Sequence, residues 1–278
     1  MIIAPRVVTR VLLYATVLAL TTFSAFPLVW MILSSLKPFP ELMANTPSLL
    51  PSRVSLGFYE TLLKATTFLT FLQNSLIVAL GTTVVSVTIA SMAAYGLARL
   101  RFRLKYAVSR GVLLSYMFPQ ILLVVPLFVG IVTLGLADTY TGLILTYITF
   151  AFPFSTWLLT AYFQTIPVEL EEAARIDGAS NARAFLSITL PLALPGIATA
   201  AIFSFILAWN EFLYALVIMN SESKKTLSVG LYTFVGGEFF RWGEMMAAST
   251  LMVLPVLVFI FILQKHIVTG LAAGAIKG

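Results

Sequence analysis

Long apolar runs alternate with short stretches that carry nearly all the charges along this chain of 278 residues. A helix needs roughly 20 mostly apolar residues to cross the hydrocarbon core of a membrane. Six runs reach that length: 11–36, 71–98, 111–137, 139–166, 192–220 and 245–264. The first run is too long for a signal-peptide core, so we expect it to remain as a span. The pattern predicts an all-α polytopic membrane protein, with one six-helix transmembrane domain over residues 1–278.

The composition supports a membrane protein and excludes several other classes. Hydrophobic residues make up 60% of the chain and charged residues 10%, with a mean hydropathy of +1.00. A soluble domain carries about 25% charged residues, so too few are present here to cover a surface in water. The same figures exclude a disordered chain and, despite a formal charge of +6, a nucleic-acid binder. The absence of cysteine excludes a secreted disulfide scaffold.

The distribution of basic residues predicts the orientation. With six spans, both termini lie on the same side of the membrane, and that side carries eleven of the 17 Lys and Arg residues. Cytoplasmic loops are enriched in such residues, so we expect both termini in the cytoplasm. The eleven are Arg6, Arg10, Arg99, Arg101, Arg103, Lys105, Arg110, Arg175, Arg183, Lys265 and Lys277.

A polar segment, residues 167–191, interrupts the apolar pattern between the fourth and fifth spans. Pro167 suits the first position of a helix. Three acidic residues follow in the first turn, where they complement the helix dipole. We expect Glu171 and Arg175 to form an i, i+4 pair on this helix.

The second half of the segment predicts a turn and a further helix. Gly178 supplies the left-handed residue that ends the first helix, and Ser180 or Asn181 caps the next one. Pro191 opens the following span. On physical grounds the product is either an amphipathic linker at the membrane interface or a contact surface for a cytoplasmic partner.

The segment also carries a recognisable motif, E-A-A-x-x-D-G-A followed by F-x-x-I-x-L-P-x-x-x-P. Its residues are Glu172, Ala173, Ala174, Asp177, Gly178, Ala179, Phe185, Ile188, Leu190, Pro191 and Pro195. This pattern resembles the coupling loop of the membrane subunits of ABC importers, most closely the MalG-like branch of the maltose-type carbohydrate importers. Further stretches resemble the same family in order: 74–79, 94–99, 209–212, 226–231 and 270–278. The resemblance covers nearly the whole chain.

The resemblance implies a type I ABC importer permease in the cytoplasmic (inner) membrane of a prokaryote. Such a subunit takes up a sugar, for example a di- or oligosaccharide, by alternating access and is not an enzyme. The implied partners are a second homologous permease, two copies of a cytoplasmic ABC ATPase and an extracytoplasmic sugar-binding protein. A homodimer of this chain remains an alternative to the second permease. ATP and Mg²⁺ would bind to the ATPase and no cofactor to this chain, which has no G-x-x-x-x-G-K-[ST] loop.

The resemblance also assigns the coupling residues. The helix in residues 168–177 would dock on the ATPase, with small residues permitting close approach and Glu172 held by polar groups of that partner. Its movement would tilt the fourth and fifth spans. The residues assigned to this coupling are Glu171, Glu172, Ala173, Ala174, Asp177, Gly178 and Ala179.

The C-terminal tail, residues 265–278, carries a second expected ATPase contact. In MalG-like relatives the tail reaches the ATPase dimer interface, and the matching ending here implies the same for Gly270, Gly274 and Lys277. The alternative is a frayed terminus.

Glu211 is the only formal charge within the six spans. It lies about eighteen residues into the fifth span, roughly 27 Å along a helix, which predicts a position near the outer leaflet. It either lines the sugar path or makes a structural hydrogen bond. Sugar hydroxyls need hydrogen-bonding groups and sugar faces need aromatic rings, so the pathway candidates are Tyr116, Gln120, Tyr147, Trp157, Trp209, Asn210 and Glu211.

The two outer segments, residues 37–70 and 221–244, are the expected contact with the binding protein, because aromatic and Arg side chains are typical anchors of protein interfaces. The second segment supplies four of them: Phe239, Phe240, Arg241 and Trp242.

Two other classes of function compete with an ABC permease. An ion-coupled secondary transporter would need ionisable groups near the middle of the membrane, and Glu211 alone offers little support. An intramembrane enzyme would need a metal site or an acid–base pair, and the single histidine, His266, has no acidic cluster near it in sequence. Nothing in the sequence names the sugar.

Overall fold

The computed structural model describes the backbone of residues 4–233 and 241–275, and the side chains of 9–232 and 241–265. Every regular element in these ranges is helical, which confirms the predicted all-α class. The α-helices are α1 (Ala4–Ser35), α2 (Phe39–Leu42), α3 (Gly57–Ala65), α4 (Phe68–Arg99), α5 (Lys105–Met117), α6 (Val124–Thr133), α7 (Tyr140–Thr165), α8 (Glu169–Ile176), α9 (Asn181–Ala184), α10 (Leu190–Leu192), α11 (Leu194–Asn210), α12 (Leu213–Ile218), α13 (Leu227–Thr233) and α14 (Trp242–Ala275).

Four segments are long and apolar enough to cross a membrane: Thr9–Ser35, Phe68–Arg99, Tyr140–Thr165 and Trp242–Lys265. Two helix pairs pass the same test but are bent. Lys105–Met117 and Gln120–Thr133 meet at 95°, and Asn181–Leu192 and Leu194–Asn210 meet at 76°. The predicted number of six holds if each bent pair makes one crossing.

The span predicted over 111–137 is interrupted. Helix α5 ends at Met117, and Phe118 takes an extended conformation with ψ of 132°. Proline disfavours helical geometry in the residue before it, and Pro119 follows here. The chain resumes in a 3₁₀ turn, Gln120–Leu123, that leads into α6.

The span predicted over 192–220 is interrupted as well, at Glu211. Helix α11 ends at Asn210, and Glu211 is extended with φ −67° and ψ 131°. The short helix α12 follows after Phe212. Neither proline nor glycine marks this break in the sequence, which explains why the hydrophobic pattern alone did not reveal it.

The chain divides into two compact units. Unit 1 comprises Met1–Phe68 and Leu231–Leu254, and unit 2 comprises Leu69–Gly230 and Pro255–Gly278. In the most apolar stretch of the span Thr9–Ser35, which belongs to α1, no residue is buried. This leaves a long apolar helix surface free to meet lipid or another chain.

An outer loop in unit 1 is organised by Glu41. Its carboxylate accepts hydrogen bonds from the Ser48 hydroxyl at 2.6 Å and from the Ser52 backbone N–H at 3.0 Å. Together with the Ser52 hydroxyl, these donors lower the pKa of Glu41 to about 2. Nearby, the buried Lys37 donates to the Ser48 carbonyl and lies 4.7 Å from the ring centre of Trp30.

Helix α7 lies at the centre of unit 2 and packs against α11 and α5. The α7–α11 contact is close: Phe154 stacks on Phe203 with 3.7 Å between ring centres, and the hydroxyls of Ser155 and Ser204 are 3.1 Å apart. A Cβ at Gly196 would come within 2.6 Å of the Tyr162 ring. Glycine at this position therefore permits the approach of the two helices.

The outer end of unit 2 is joined by hydrogen bonds between distant segments. Asp138 accepts from the backbone N–H groups of Asn220 and Ser221, both at 3.0 Å, and its carboxylate lies 3.4 Å from the Lys224 ammonium. Asn74 in α4 donates to the carbonyl of Lys225 at 2.8 Å. The loop before α13 is thus held against the starts of α4 and α7.

Candidate functional site

The polar segment 167–191 folds as a bracket of two arms joined at Gly178. Helix α8 forms the first arm, and Gly178 follows it with φ of +89°. The Ala179 N–H donates to the Ala174 carbonyl at 2.9 Å, and the Gly178 N–H to the Arg175 carbonyl at 3.1 Å. These two bonds form a Schellman motif, so the prediction of a left-handed glycine at this position is confirmed.

The second arm starts at Ser180, which resolves the choice between two capping residues. The Ser180 hydroxyl accepts from the Arg183 backbone N–H at 3.3 Å. After α9 the arm passes through a π turn, Phe185–Thr189, and α10 before α11 begins. Such turns are rare and insert one extra residue per turn into a helix.

The predicted pair between Glu171 and Arg175 is wrong. The Arg175 guanidinium lies 3.8 Å from Glu172 instead, on the exposed side of α8. Glu171 turns inward, is 3% exposed, and accepts a hydrogen bond of 2.7 Å from Nε of Arg99 at the end of α4. The physical reason is burial: a carboxylate on the inner face of the helix needs a partner from the element packed there.

Two further donors complete the environment of Glu171. The Thr189 hydroxyl donates to Oε1 at 2.7 Å and the Tyr95 hydroxyl to Oε2 at 2.9 Å. Burial raises the pKa of Glu171, but the hydrogen bonds from Arg99, Thr189 and Tyr95 outweigh it and hold the pKa below its ordinary value. The group is therefore an ionised carboxylate at neutral pH.

The other coupling residues assigned from the resemblance form an outward surface on the bracket. Glu172, Ala173 and Asp177 are exposed, while Ala174 and Ala179 are half-buried. Ile176 is 87% exposed and Leu170 also reaches the surface. An apolar side chain this exposed beside small residues is suited to cover by a partner.

Glu211 stabilises the break between α11 and α12. Its carboxylate accepts from the backbone N–H groups of Tyr214 at 2.8 Å and Ala215 at 3.1 Å, at the start of α12. The Tyr147 hydroxyl of α7 donates to it at 2.6 Å. The Ser228 hydroxyl donates to the Glu211 carbonyl at 2.6 Å. Of the two interpretations of Glu211, these contacts favour the structural hydrogen bond.

The remaining pathway candidates separate into buried and exposed groups. Tyr147 and Trp209 are buried, and Trp209 stacks on Phe205 with 5.5 Å between ring centres. The Asn210 amide bonds to the Ile206 carbonyl at 3.0 Å on an exposed surface. These contacts make Tyr147 and Trp209 packing residues in this structure.

Tyr116, Trp157 and Gln120 are exposed. Tyr116 and Trp157 share one neighbour, Phe154, at 5.3 and 6.1 Å between ring centres. Gln120 contributes its carbonyl, which accepts from the Tyr214 hydroxyl at 2.7 Å. The structure therefore brings the candidates Tyr147, Glu211 and Gln120 together through Tyr214, a residue that the sequence did not single out.

The expected tail contacts lie mostly beyond the described side chains. Helix α14 runs without interruption to Ala275 and includes Gly270 and Gly274 in its backbone. Lys277 lies outside the described residues, as do Phe239 and Phe240 of the outer segment. The tail contact with an ATPase stays a prediction.

Comparison with known proteins now identifies the family. The profile of the binding-protein-dependent transport system inner membrane component matches residues 86–272. The chain belongs to this family. It is a membrane-embedded transport subunit and not an enzyme, as predicted from the residues and the resemblance.

Two sequence relatives agree with this family. The trehalose transport system permease SugB of Mycobacterium tuberculosis is 41% identical over 92% of this chain and 93% of its own length. The trehalose/maltose permease MalG of Thermococcus litoralis is 38% identical over 98% and 99%.

A bacterial ABC transporter that imports the acidic polysaccharide alginate superposes with a TM-score of 0.80 at 22% identity, covering 93% of this chain and 96% of the other. A chain of the MetNI methionine ABC transporter superposes with a TM-score of 0.58 at 20% identity, covering 78% of this chain and 99% of the other. These structures confirm the type I importer permease fold.

Proposed function

We propose that this permease takes up a di- or oligosaccharide, or a related compound, across the cytoplasmic membrane of a prokaryote by alternating access. The observation that carries the proposal is the bracket: a helix-turn-helix, capped at Gly178 and Ser180, with an outward surface of small, acidic and apolar residues. The names of relatives that carry trehalose or maltose support a sugar as cargo. The excess of basic residues on one side of the chain supports cytoplasmic termini.

The family description supports a multi-protein assembly. A binding-protein-dependent system needs an extracytoplasmic binding protein, here one that captures the sugar. The unburied apolar surface of α1 is suited to pack against a second homologous permease and the lipid bilayer. Two copies of a cytoplasmic ABC ATPase, which bind ATP and Mg²⁺, complete the assembly.

The exposed surface of α8 is the proposed ATPase contact. Ala173 allows a close approach, Ile176 supplies an apolar anchor, and Glu172 offers a carboxylate to polar groups of the partner. When two ATPases close on ATP, the docked helix moves as a rigid body and reorients the spans. The tail residues Gly270, Gly274 and Lys277 add a second contact with the ATPases.

Recognition of the sugar falls to exposed side chains. Tyr116 and Trp157 present aromatic surface, and Asn210 lies exposed at the end of α11, next to the break at Glu211. Since the carboxylate of Glu211 is occupied by Tyr147 and by the start of α12, we assign it the support of this break.

The test is transport by the reconstituted importer. The chain is purified with the partners encoded beside its gene and placed in liposomes with ATP inside. We expect uptake of a radiolabelled disaccharide that requires the binding protein and stops with vanadate. Uptake that ignores vanadate but stops with an ionophore would contradict the proposal and favour the ion-coupled alternative.

A further inference from the structure

A single buried carboxylate connects three segments at the cytoplasmic end of unit 2. Glu171 belongs to α8, yet its three side-chain donors come from elsewhere. Arg99 and Tyr95 lie in the last turns of α4, and Thr189 lies in the π turn of the second arm. Both carboxylate oxygens are used. The bonds span 76, 72 and 18 positions of sequence, so they constrain the tertiary arrangement and not merely the local helix.

Arg99 adds a second connection to the same place. Its Nη2 donates at 2.8 Å to the carbonyl of Ile166, the residue that caps the end of α7. One guanidinium therefore holds both sides of the short link between α7 and α8. Nearby, the Tyr95 ring packs on Phe185 with 4.6 Å between ring centres. Hydrogen bonds to ionised groups in such a buried place are strong, because water competes poorly there.

The covalent chain alone would carry movement of α8 to its sequence neighbours, α7 and, through the second arm, α11. Helix α4 has no covalent link to the bracket. Its direct polar connection to α8 is the Arg99–Glu171 ion pair, whose side chains are only 11% and 5% exposed, together with the Tyr95 hydrogen bond.

We propose that Glu171 is a positioning residue that couples α8 to α4, so that the bracket and the cytoplasmic end of α4 move as one body during transport. The proposal rests on the proposed function, because the ATPase that docks on the outer surface of α8 supplies the movement. Neighbouring glutamates then have separate roles. Glu172 faces the partner, and Glu171 passes its movement to α4.

The first test measures a distance. The chain contains no cysteine, so nitroxide labels can be placed without removing native residues. Leu100, directly after α4, and Glu169, at the start of α8, are both exposed. In the complete importer carrying L100C and E169C, we expect the same inter-label distance without nucleotide and in the vanadate-trapped state. A distance that changes between these two states would overturn the proposal, and this measurement needs no substitution in the buried cluster.

The second test separates transmission from docking. In E171Q we expect the ATPase to co-purify with the permease. The amount of sugar transported per ATP hydrolysed should fall about fivefold or more, which is the range of effects that coupling between two sites typically has. The inter-label distance should also become state-dependent. The control is R103Q, which neutralises an exposed charge in the loop that follows α4.

The outcomes distinguish this proposal from the proposed function. If E171Q transports as much sugar per ATP as the parent importer, the coupling role of Glu171 is wrong while the bracket remains an ATPase contact. If the ATPase fails to associate with the parent chain at all, the proposed function itself is wrong. Loss of folding in E171Q would leave the distance in the parent importer to decide.

Discussion

The side-chain carboxylates of Glu171 and Glu211 each accept three hydrogen bonds in unit 2, but they hold different kinds of junction. Glu171 is bound by three side chains, among them the cation Arg99. Glu211 is bound by two backbone N–H groups of the helix that follows it and by the Tyr147 hydroxyl. In the part of the chain that the structure describes, Glu211 makes no salt bridge.

The difference indicates what each junction does. A carboxylate at the start of a helix satisfies N–H groups that have no partner within the helix, which makes it a local support for a break. A buried ion pair between separate helices joins distant segments. Removing one partner of such a pair strongly destabilises the fold. We therefore expect the Glu171 cluster to respond to substitution more strongly than the Glu211 cluster.

The largest effect is expected for Arg99→Ala. The change leaves the Glu171 carboxylate buried without its cation and also removes the donor to the Ile166 carbonyl. We expect the free energy of unfolding to fall by about 3–5 kcal/mol, measured by denaturant unfolding of the purified chain in detergent. Lys64→Ala, in an exposed pair, is the control and should cost under about 1 kcal/mol. Equal effects on the free energy of unfolding would contradict the expected contribution of the buried pair.

Gly178→Val is expected to rank second. The backbone of Gly178 has φ of +89°, and the space around its Cα is open, so the cost is backbone strain and not a clash. Left-handed geometry costs a residue with a side chain roughly 1–2 kcal/mol, and more when it is β-branched. We expect the importer to assemble but to lose sugar-stimulated ATP hydrolysis.

Gly111→Val is the matched control, because Gly111 also has open space but lies within α5 without a left-handed backbone. If the two variants hydrolyse ATP equally well in response to sugar, the turn at Gly178 has no role in coupling. The break at Glu211 offers no comparable test, since its extended backbone suits any residue.

Glu211→Ala is expected to have a smaller effect than either change in the bracket region. It removes the cap of α12 and the acceptor of the Tyr147 hydroxyl. Loss of a helix cap costs about 0.5–2 kcal/mol, which denaturant unfolding can resolve. Asn210→Ala serves as the control at the adjacent exposed position. A raised KM for sugar in Glu211→Gln would contradict the structural role and return this residue to the transport path.

The hydrophobic pattern was sufficient for the fold class but not for the interruptions of the spans. The break at Phe118 follows from Pro119, a signal present in the sequence. The break at Glu211 is supported by the Tyr147 hydroxyl, which lies 64 positions away in sequence and meets Glu211 only in the folded chain. Apolarity reports which residues avoid water and carries little information about where a buried helix stops.

The turn of the bracket was more predictable from the sequence than the contacts of its buried residue Glu171. Gly178 and Ser180 contact residues only a few positions away in sequence, so local rules for helix ends predict their roles correctly. The partner of Glu171 lies 72 positions away in sequence. The i, i+4 rule favoured Arg175 because that rule considers only one helix, and burial against α4 outweighs it.

The smallest effect on stability is expected for Glu172→Ala, and it sharpens the comparison most. Glu172 and Arg175 are 3.8 Å apart with about half of each side chain exposed, so their pairing contributes under about 0.5 kcal/mol. Denaturant unfolding should therefore hardly change. Co-purification of the ATPase should nevertheless fall, because this carboxylate lies on the proposed docking surface.

Set beside E171Q, the Glu172→Ala variant tests whether two consecutive glutamates serve different partners. Docking should weaken in Glu172→Ala with little change in unfolding, whereas E171Q should keep the ATPase bound and lose sugar transported per ATP. Because adjacent residues on a helix point about 100° apart, one can face a partner while the other faces α4. If both variants lose the ATPase to the same extent, the two side chains share one function. The distinction between a buried link to α4 and an outer docking surface is then wrong.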